Sequence, residues 1–585
     1  MEAKNKLNWK IGGEAGYGIM VTGQVFSRIF SRSGFYVFDY VEYPSLIRGG
    51  HNSYHVTVSG KELFSLEKSL DLLVALNKDT IERHKDTLTP GAAILYDEEE
   101  IELSPEEFSS QEIKLYPLAL AKLAREAGGE KLMRNTVTLG ASLAIVGYDL
   151  DTLAEILEDT FKKKGEEVIK INIAVARAGF NYVRRNFPDD FKHKLKKISS
   201  SKRLLLNGSE AVSLGAIKAG CKFCAAYPMT PASGVLHYLA SQEEKFNLVV
   251  KHAEDEIAVI NMAAGASFAG VRAIVATSGG GFSLMVEGLG LAACVETPLV
   301  IVEAQRPGPS TGLPTWTGQG DLKFLLSASQ GDFPHIVIAP GDVEECFYLT
   351  MEAFNIADKY QTPVMLLIDK YLTEGHTAVE KLDASRVKVD RGLLLSREEL
   401  LKKKDFKRYE ITPSGVSARS FPSREGGIFN ANSDEHTEYG FSSDDAGVRT
   451  AMMDKRMRKL ESLAKELPPP KLHGPKEAQD TVVGWGSTKG PILSALRRLS
   501  EEGVEAKFLQ LTYLSPFPSE FVEDILEKSR KVIVVENNQT GQLAGLIREK
   551  TGIEIKLKVL KYDGRPFFPE ELGDVLKGKI ASDKK

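Results

Sequence analysis

The sequence has few cysteines, no long apolar run and no excess of charge of one sign. Four cysteines in 585 residues exclude a disulfide scaffold and are typical of a reducing cytoplasm. Every apolar stretch is interrupted before the roughly 18 residues that a spanning helix needs, and the first residues show no signal peptide. The formal net charge of −5, from 75 basic and 80 acidic residues, gives no electrostatic basis for nucleic acid or an anionic membrane as the main partner.

The length and the alternation of strand-like and helix-like segments predict three open-sheet α/β domains. We expect an α/β domain over residues 1–190, a linker over 191–203, a second α/β domain over 204–375, an irregular arm and helix over 376–475, and a third α/β domain over 476–585. The basic, serine-rich run at 192–202 is typical of a solvated linker. The polar stretch at 414–447 has no clear period and is expected to lie on a partner.

Two short motifs near ends of predicted strands have more than one interpretation. Residues 12–18 (GGEAGYG) precede a predicted helix, and Asp39 follows at the end of the next strand. The glycine spacing is not that of a dinucleotide loop, so a dinucleotide, another phosphate and a purely structural turn stay open. Cys221-Lys222-Phe223-Cys224 lacks a second pair of ligands, which favours two core residues flanking a turn over zinc or redox chemistry. The four cysteines also lack the usual spacing for a 4Fe–4S cluster.

Three segments of the second domain present candidate site residues. In Tyr227-Pro228-Met229-Thr230-Pro231 two prolines fix the backbone around Thr230, which is either a helix N-cap or a hydroxyl presented to a ligand. Three acids at 254–256 begin a helix whose following residues are apolar or small, so we expect a buried helix and one buried, functional carboxyl. Arg306 follows a predicted strand at 299–302 and binds either an anionic ligand or a loop acid such as Asp321.

Several longer motifs occur in a specific order along the chain. They are residues 12–16 (GGEAG), 42–45 (EYPS), 48–50 (RGG), 227–231 (YPMTP), 253–256 (AEDE), 276–281 (ATSGGG), 305–315 (QRPGPSTGLPT), 484–487 (GWGS) and 536–542 (ENNQTGQ). With them the whole chain resembles the alpha subunit of 2-oxoacid:ferredoxin oxidoreductases, in the form with a gamma domain fused at its N-terminus. Met229 stands where the family usually has Ile, an apolar exchange that leaves Thr230 in place.

The resemblance implies a gamma-type domain, a thiamine-pyrimidine-binding type domain and a transketolase C-terminal-like domain, in that order. It implies oxidative decarboxylation of a 2-oxoacid on thiamine diphosphate, with CoA as co-substrate and ferredoxin as electron acceptor. The thiamine site of this family lies between the alpha subunit and a beta subunit, and the beta subunit holds the Mg²⁺ and a 4Fe–4S cluster. This chain has no Gly-Asp-Gly diphosphate motif, so no metal ligand is expected in it.

The resemblance also assigns roles to the candidate residues. By position, Glu256 contacts the aminopyrimidine nitrogen of the cofactor and is catalytic, with Glu254 as the fallback. Tyr227 and Pro228 fall at cofactor-binding positions. Thr230 and Arg306 match the positions that hold the 1-carboxylate and 2-oxo group of the substrate.

The fused gamma-like form favours 2-oxoglutarate as substrate, with pyruvate or broad 2-oxoacid specificity as the alternative. We expect a cytoplasmic dimer of alpha–beta heterodimers. The alternative hypothesis from another functional class is a non-catalytic scaffold that only binds a partner. The presence of Thr230, Glu256 and Arg306 together argues against it. A self-sufficient thiamine enzyme is disfavoured because the diphosphate and cluster motifs are missing.

Overall fold

A computed structural model describes residues 5–46 and 49–582; Arg48, in one of the motifs above, lies outside the described residues. The strands, in chain order, are β1 (Lys6–Glu14), β2 (Tyr36–Glu42), β3 (His51–Ser59), β4 (Leu70–Ala75), β5 (Leu88–Asp97), β6 (Lys114–Leu118), β7 (Leu204–Asn207), β8 (Cys221–Ala226), β9 (Val249–His252), β10 (Arg272–Thr277), β11 (Leu299–Gln305), β12 (Ile336–Ile338), β13 (Pro363–Asp369), β14 (His376–Val379), β15 (Lys471–His473), β16 (Asp480–Trp485), β17 (Lys507–Leu511), β18 (Tyr513–Ser515), β19 (Lys531–Glu536) and β20 (Leu557–Leu560).

The α-helices, in chain order, are α1 (Ile19–Arg32), α2 (Lys78–His84), α3 (Pro105–Phe108), α4 (Leu120–Glu126), α5 (Arg134–Ile145), α6 (Asp151–Phe161), α7 (Glu166–Asn186), α8 (Gly208–Lys218), α9 (Ser233–Ser241), α10 (Glu243–Phe246), α11 (Glu256–Phe268), α12 (Gly279–Cys294), α13 (Leu322–Leu326), α14 (Val343–Tyr360), α15 (Lys370–Glu374), α16 (Arg397–Lys402), α17 (Ala446–Ala464), α18 (Lys489–Glu501), α19 (Ser519–Glu527), α20 (Gln542–Thr551) and α21 (Pro569–Ala581). Within the described residues, no helix combines the length and hydropathy needed to cross a bilayer.

The strands of the described residues form three mixed sheets, which confirms the α/β class with three open sheets. The first sheet has the order β6-β5-β4-β1-β3-β2-β14-β7, the second β18-β12-β13-β11-β10-β8-β9, and the third β15-β17-β16-β19-β20. The first sheet is antiparallel around β3 and parallel from β1 to β6. The second and third sheets are parallel apart from one antiparallel edge strand each.

The described chain divides into two compact units. The first contains the residues up to Leu206 with Gly375–Leu382 and Phe568–Glu570, and the second contains the rest. The expected boundaries at 203/204 and 375/376 do not coincide with the edges of the sheets, because β7 and β14 both join the first sheet. Likewise β18, from the expected third domain, pairs with β12 in the second sheet. Such short strands acquire their partners through long-range pairing, which local patterns do not encode.

In the first unit, helices pack an aromatic core onto the sheet. Trp9 of β1 stacks on Phe26 of α1 at 4.2 Å between ring centroids, and the indole Nε1 donates to the Ser142 hydroxyl at 3.1 Å. Two residues of the predicted linker over 191–203 pack into this core, while the others are exposed or half-buried. Phe191 and Leu195 are buried, and the Leu195 amide donates to the Val146 carbonyl at 3.0 Å.

The dinucleotide interpretation of the first glycine motif is wrong. Asp39 lies in the middle of β2 and is fully buried. Its carboxylate accepts hydrogen bonds from the amide and Nδ1 of His376 at 3.1 and 2.8 Å. A carboxylate that reads a ribose has to face the ligand at the end of its strand. A phosphate at the N-terminus of α1 stays a prediction.

The Cys-x-x-Cys motif lies in a strand and not at a turn. Cys221 and Cys224 are both buried in β8, where they pair with Arg272 and Ile274 of β10. Burial raises the pKa of the Cys221 thiol to about 12. A thiol with so high a pKa is almost entirely protonated near neutral pH, which fits a structural role.

The polar stretch at 414–447 makes buried contacts within its own unit: Arg419 Nη2 lies 2.5 Å from Asp358 Oδ1 of α14, and both side chains are buried. That the stretch also lies on a partner stays a prediction. Glu296, fully buried, is paired with Lys455 and with Lys459, whose Nζ lies 2.6 Å from Glu296 Oε2. These two lysines are four residues apart and face the same side of α17. Arg408, which precedes that stretch, donates to the Glu296 carbonyl at 2.8 Å. Buried charge pairs therefore join the segment and α17 to the second sheet.

Candidate active site

Glu256 is placed by a strand-to-helix turn at the carboxyl end of the second sheet. β9 ends at His252, and Asp255 caps α11 by accepting a hydrogen bond from the Ala258 amide at 2.8 Å. Glu256 is the first residue of the helix and is only 3% exposed. Glu254, the fallback residue, is exposed. Of the three neighbouring acids, only Glu256 is buried, and burial of one of them was the expectation.

The Glu256 carboxyl lies in a cradle formed by the end of β10 and the start of α12. Burial raises the pKa of this carboxyl, and the nearby Thr277 hydroxyl lowers it by a smaller amount. Its Oε1 is buried without a hydrogen-bond partner among the described residues. A Cβ on Gly281 would meet both Oε1 and the Thr277 hydroxyl more closely than real Cβ atoms come. The cradle therefore leaves one carboxyl oxygen free for a donor that the described part of the chain does not supply.

Arg306 and Thr230 contact each other across the ends of β11 and β8, the two strands that flank β10. Arg306 directly follows β11, and its Nη1 donates to the Thr230 carbonyl at 2.8 Å. The N-cap of α9 is Ala232, so the interpretation of Thr230 as a helix cap is wrong. Thr230 is half-buried, in a turn whose Met229 carbonyl accepts from the Ala232 amide at 2.8 Å.

The remaining predicted residues follow β8 at the same sheet edge. Tyr227 is 39% exposed and its ring lies 6.1 Å from the ring of His252. Pro228 is half-buried. Since β8, β9, β10 and β11 are parallel, their carboxyl ends share one edge, where ligands bind in open α/β sheets. That edge gathers Tyr227, Pro228, Thr230, Glu256 and Arg306.

Sequence reasoning missed a pair of buried carboxyl groups next to Arg306. Glu303 lies inside β11 and is fully buried, neither of its carboxyl oxygens is hydrogen-bonded within the described residues, and Asp321 lies close enough to influence its pKa. Burial raises the pKa of both groups, that of Asp321 to about 6. The Arg306 guanidinium lowers both pKa values, and burial in turn lowers its own. The available signal was an acid in the middle of an otherwise apolar strand.

The loop between Arg306 and Asp321 is braced by the third sheet through Gln319. Its side chain donates to the Trp485 carbonyl at 2.9 Å and accepts from the Asn537 amide at 2.9 Å. Its backbone carbonyl accepts from Asn538 Nδ2 at 3.0 Å. The 484–487 and 536–542 motifs therefore fix this loop.

Glu536 stabilises the 536–542 motif, which holds Gln319 in place. Its carboxylate accepts hydrogen bonds from the amides of Leu543 and Ala544 at the N-terminus of α20, at 2.8 and 3.1 Å. It also accepts from Asn538 Nδ2 at 2.8 Å. An acid at this place satisfies helix amides that would otherwise lack partners.

An apolar surface adjoins the candidate site, so the expectation that α11 is wholly buried is wrong. Ile257 and Met262 of α11 are 52% and 43% exposed, and Leu284 of α12 is 48% exposed. We call Tyr227 and these three residues the α11–α12 face. Contiguous apolar surface of this kind marks interaction sites in soluble proteins.

Three family models match the chain. "Pyruvate ferredoxin/flavodoxin oxidoreductase" matches residues 8–182, "Pyruvate flavodoxin/ferredoxin oxidoreductase, thiamine diP-bdg" matches 214–455, and "Pyruvate:ferredoxin oxidoreductase core domain II" matches 478–572. Together they define an oxidoreductase whose second domain is of the thiamine-diphosphate-binding type.

Relatives and a solved structure match over the full chain. The 2-oxoacid:ferredoxin oxidoreductase subunit alpha of Sulfolobus sp is 34% identical, over 98% of this chain and 96% of its own length. The 2-oxoglutarate oxidoreductase subunit KorA of Mycobacterium tuberculosis is 28% identical, over 98% and 91%. The structure of 2-oxoglutarate:ferredoxin oxidoreductase from Magnetococcus marinus with 2-oxoglutarate, coenzyme A and succinyl-CoA bound is 32% identical, with a TM-score of 0.92 over 99% of this chain and 100% of that chain. This chain belongs to the family of 2-oxoacid:ferredoxin oxidoreductase alpha subunits.

Proposed function

We propose that this alpha subunit catalyses the oxidative decarboxylation of a 2-oxoacid, preferably 2-oxoglutarate, to an acyl-CoA and carbon dioxide, with electrons passing to ferredoxin. The observation that carries this proposal is Glu256, a buried carboxyl with one oxygen left unpartnered at the sheet edge that also bears Arg306. Relatives named for 2-oxoglutarate support the preferred substrate. Relatives named only for 2-oxoacids favour broad specificity as the second candidate, with pyruvate among the substrates.

The proposed cofactor is thiamine diphosphate, and the donor set of this chain fits its aminopyrimidine ring. When bound, thiamine diphosphate supplies the electron sink that decarboxylation of a 2-oxoacid requires. The unpartnered Oε1 of Glu256 is the acceptor or donor for a ring nitrogen, and burial raises the carboxyl pKa, which favours the protonated form that a proton donor needs. Tyr227 and Pro228 line the same edge and contact the cofactor.

Arg306 and Thr230 are the proposed substrate-binding residues. The guanidinium is anchored by one nitrogen to the Thr230 carbonyl, which leaves its other N–H groups for the carboxylate of the 2-oxoacid. The Thr230 hydroxyl donates to the 2-oxo group. Removing Arg306 therefore weakens substrate binding, whereas removing the Glu256 carboxyl reduces turnover.

The α11–α12 face is the proposed contact for a beta subunit. An alpha subunit implies a partner subunit, and this exposed apolar face begins at Ile257, next to the proposed cofactor acid. The beta subunit would contribute the Mg²⁺–diphosphate site and the 4Fe–4S cluster, and two heterodimers would associate in the cytoplasm. Substituting Met262 by Lys is expected to weaken the complex, because a charge would be buried in an apolar contact.

The test uses the chain co-expressed with a beta subunit of the same enzyme family. We expect 2-oxoacid- and CoA-dependent reduction of ferredoxin, and a chain that is colourless when purified alone. Glu256→Gln should lower turnover by about 10²–10⁴-fold, while the matched change Glu254→Gln, two residues away and exposed, should leave it unchanged. Equal effects of the two substitutions, or turnover by the isolated chain, would contradict the proposal. A panel of 2-oxoacids then decides between 2-oxoglutarate and broad specificity.

A further inference from the structure

The first unit contains a glycine-rich helix start that the proposed chemistry does not use. Strands β1, β4, β5 and β6 are parallel neighbours, so their carboxyl ends lie at one edge of the first sheet. Ligands of open α/β sheets bind at that edge. The motif at residues 12–18 (GGEAGYG) ends β1 there and leads directly into α1. This motif therefore occupies a position where a ligand site is expected.

The first turn of α1 has neither a side-chain cap nor an acid to satisfy its amides. Its N-cap is Gly18, whose φ of 72° lies in the left-handed region and which offers no side chain to the first amides. No residue of that turn is acidic. The first amides of a helix lack intrahelical partners and carry the positive end of the helix dipole. Since Met20 and Val21 are 45% and 50% exposed, an anion can reach this turn from solvent.

A second helix begins beside this turn and brings Arg134 to it. Arg134 is the first residue of α5, and its Cζ lies 3.9 Å from the centre of the ring of Tyr17, the residue before Gly18. A Cβ on Gly18 would clash with Nδ2 of Asn135, the next residue of α5. The start of α5 likewise has no side-chain cap and no acid in its first turn. Two positive helix ends and one guanidinium therefore meet at the Tyr17–Gly18 turn.

The Arg134 side chain is buried without complete hydrogen bonding. The residue is 6% exposed, and its Nη1 has no hydrogen-bond partner within the described chain. Asp97 Oδ2 and Glu100 Oε1 lie 3.8 and 3.6 Å from Nη1, which is too far for either to accept a hydrogen bond. Buried charged groups are normally hydrogen-bonded, and an unsatisfied one is typical of an ion or ligand site. Arg134 therefore offers a buried donor at the same turn.

We propose that the start of α1 and Arg134 together form a binding site for a phosphate group, either inorganic phosphate or the phosphate of an ester. The first amides of α1 donate to the phosphate oxygens, as helix starts do after glycine-rich turns. The Arg134 guanidinium donates to the same group from the start of α5. The site lies in the first unit and is independent of the roles proposed for Glu256 and Arg306.

Phosphate fits these donors better than a carboxylate does. A carboxylate is planar and is filled by one guanidinium fork, whereas a phosphate presents its terminal oxygens in several directions. The donors here come from two helices, so more than one direction is needed. Gly16 and Gly18, both with positive φ, leave the turn without a Cβ, and a large anion can approach the backbone. A dinucleotide stays excluded because Asp39 is buried in the middle of β2.

The test measures anion binding by the alpha–beta complex and not turnover. Inorganic phosphate, and ADP as a model phosphate ester, are titrated by calorimetry at constant ionic strength, with sodium chloride as the blank. Met20→Glu places a carboxylate in the first turn of α1, where it competes with the bound anion. We expect the dissociation constant to rise at least about tenfold. Met20→Gln, the neutral control of the same length, should stay within about twofold of the parent.

Met20→Glu also keeps the test independent of folding. An acid in the first turn of a helix is favourable for that helix, so the thermal unfolding midpoint of Met20→Glu should equal or exceed that of Met20→Gln. Weaker phosphate binding by a chain of undiminished stability cannot be attributed to unfolding.

Two further variants test the contribution of Arg134. Arg134→Gln removes the charged donor and should raise the dissociation constant about 10- to 100-fold. Asp97→Asn should act in the opposite direction and tighten binding, because it removes a negative charge 3.8 Å from Nη1. If Arg134 served only as a structural partner of Asp97, the second change would not tighten the binding of either probe.

The outcomes separate the two sources of the phosphate group and can refute the site. Phosphate binding as tight as ADP binding identifies inorganic phosphate as the ligand, and tighter ADP binding identifies an ester. If neither probe binds above the chloride blank, or if Met20→Glu and Met20→Gln bind alike, the site is refuted. No measurement here uses turnover, so such a failure leaves the proposed function standing. Conversely, full turnover in Glu256→Gln would contradict the proposed function and leave this site untouched.

Discussion

Gly281 offers a sharp test of how the site depends on backbone packing. The residue lies in the first turn of α12, and it is buried against the Glu256 carboxyl. In Gly281→Ala the new methyl group would meet Glu256 Oε1 and the Thr277 hydroxyl, so the carboxyl or the helix has to shift. A displacement near 1 Å of a catalytic group costs about 100-fold in rate. We therefore expect a turnover loss of about 10²-fold in the alpha–beta complex.

The stability effect of the same change is small by comparison. Overpacking costs about 1–3 kcal/mol, and replacing glycine by alanine inside a helix returns about 1 kcal/mol. The net loss is about 0–2 kcal/mol, so the variant should fold. Turnover and thermal unfolding are measured on the same preparations, which separates a displaced carboxyl from an unfolded chain.

The neighbouring residue gives the matched control. Gly280 is exposed, and a Cβ there would have Met229 Sδ at 3.9 Å as its nearest neighbour. Gly280→Ala should therefore keep full turnover and gain up to about 1 kcal/mol in the free energy of unfolding. If Gly281→Ala keeps turnover within about threefold of Gly280→Ala, then the position of the Glu256 carboxyl does not limit the reaction.

Three further predictions concern stability. Glu296→Gln leaves two buried lysines of α17 without a countercharge and should lower the free energy of unfolding by about 3–5 kcal/mol in urea. Glu425→Gln, in the exposed pair with Arg397, should cost at most about 1 kcal/mol in the same assay. Gln319→Ala should cost at least about 2 kcal/mol in the same assay, because it leaves buried amide and carbonyl groups unpaired. Lysine contacts hold the pKa of Glu345 at about 2, below its unfolded value. The ionised Glu345 carboxylate therefore stabilises the fold above pH 4.5, and this contribution is lost as pH falls towards 2. Glu345→Gln should destabilise the protein at pH 7 and reduce the fall of its free energy of unfolding between pH 4.5 and 2.

The location of the site could be predicted from sequence, because it depends on local signals. Residues 253–256 follow an apolar strand and precede a run of small and apolar residues, and that pattern predicts a carboxyl at a helix start. Arg306 likewise follows directly after an apolar strand. In both cases the structure places the residue at the carboxyl edge of the second sheet, as the parallel order of strands requires.

The parts that could not be predicted depend on contacts far apart in sequence. The exposed side of α11 is apolar, so composition alone could not distinguish a buried helix from one with an open face. The bracing of Gln319 by two loops of the third sheet joins residues more than 160 positions apart in one case and more than 210 in the other. No local periodicity encodes such contacts. The proximity of Glu303 and Asp321 also depends on the tertiary fold. The acid at position 303, inside an apolar strand, was nevertheless a signal that sequence reasoning could have used.

The glycines at the start of α12 pack against two different acids. Gly279 packs against Asp321, Gly281 packs against Glu256, and Gly280 between them faces outward. The N-terminus of α12 carries a partial positive charge that favours ionised carboxylates nearby, yet burial raises the pKa of both acids. Desolvation therefore outweighs the helix dipole at this site. The two carboxyls therefore pack against separate glycines of the same backbone turn.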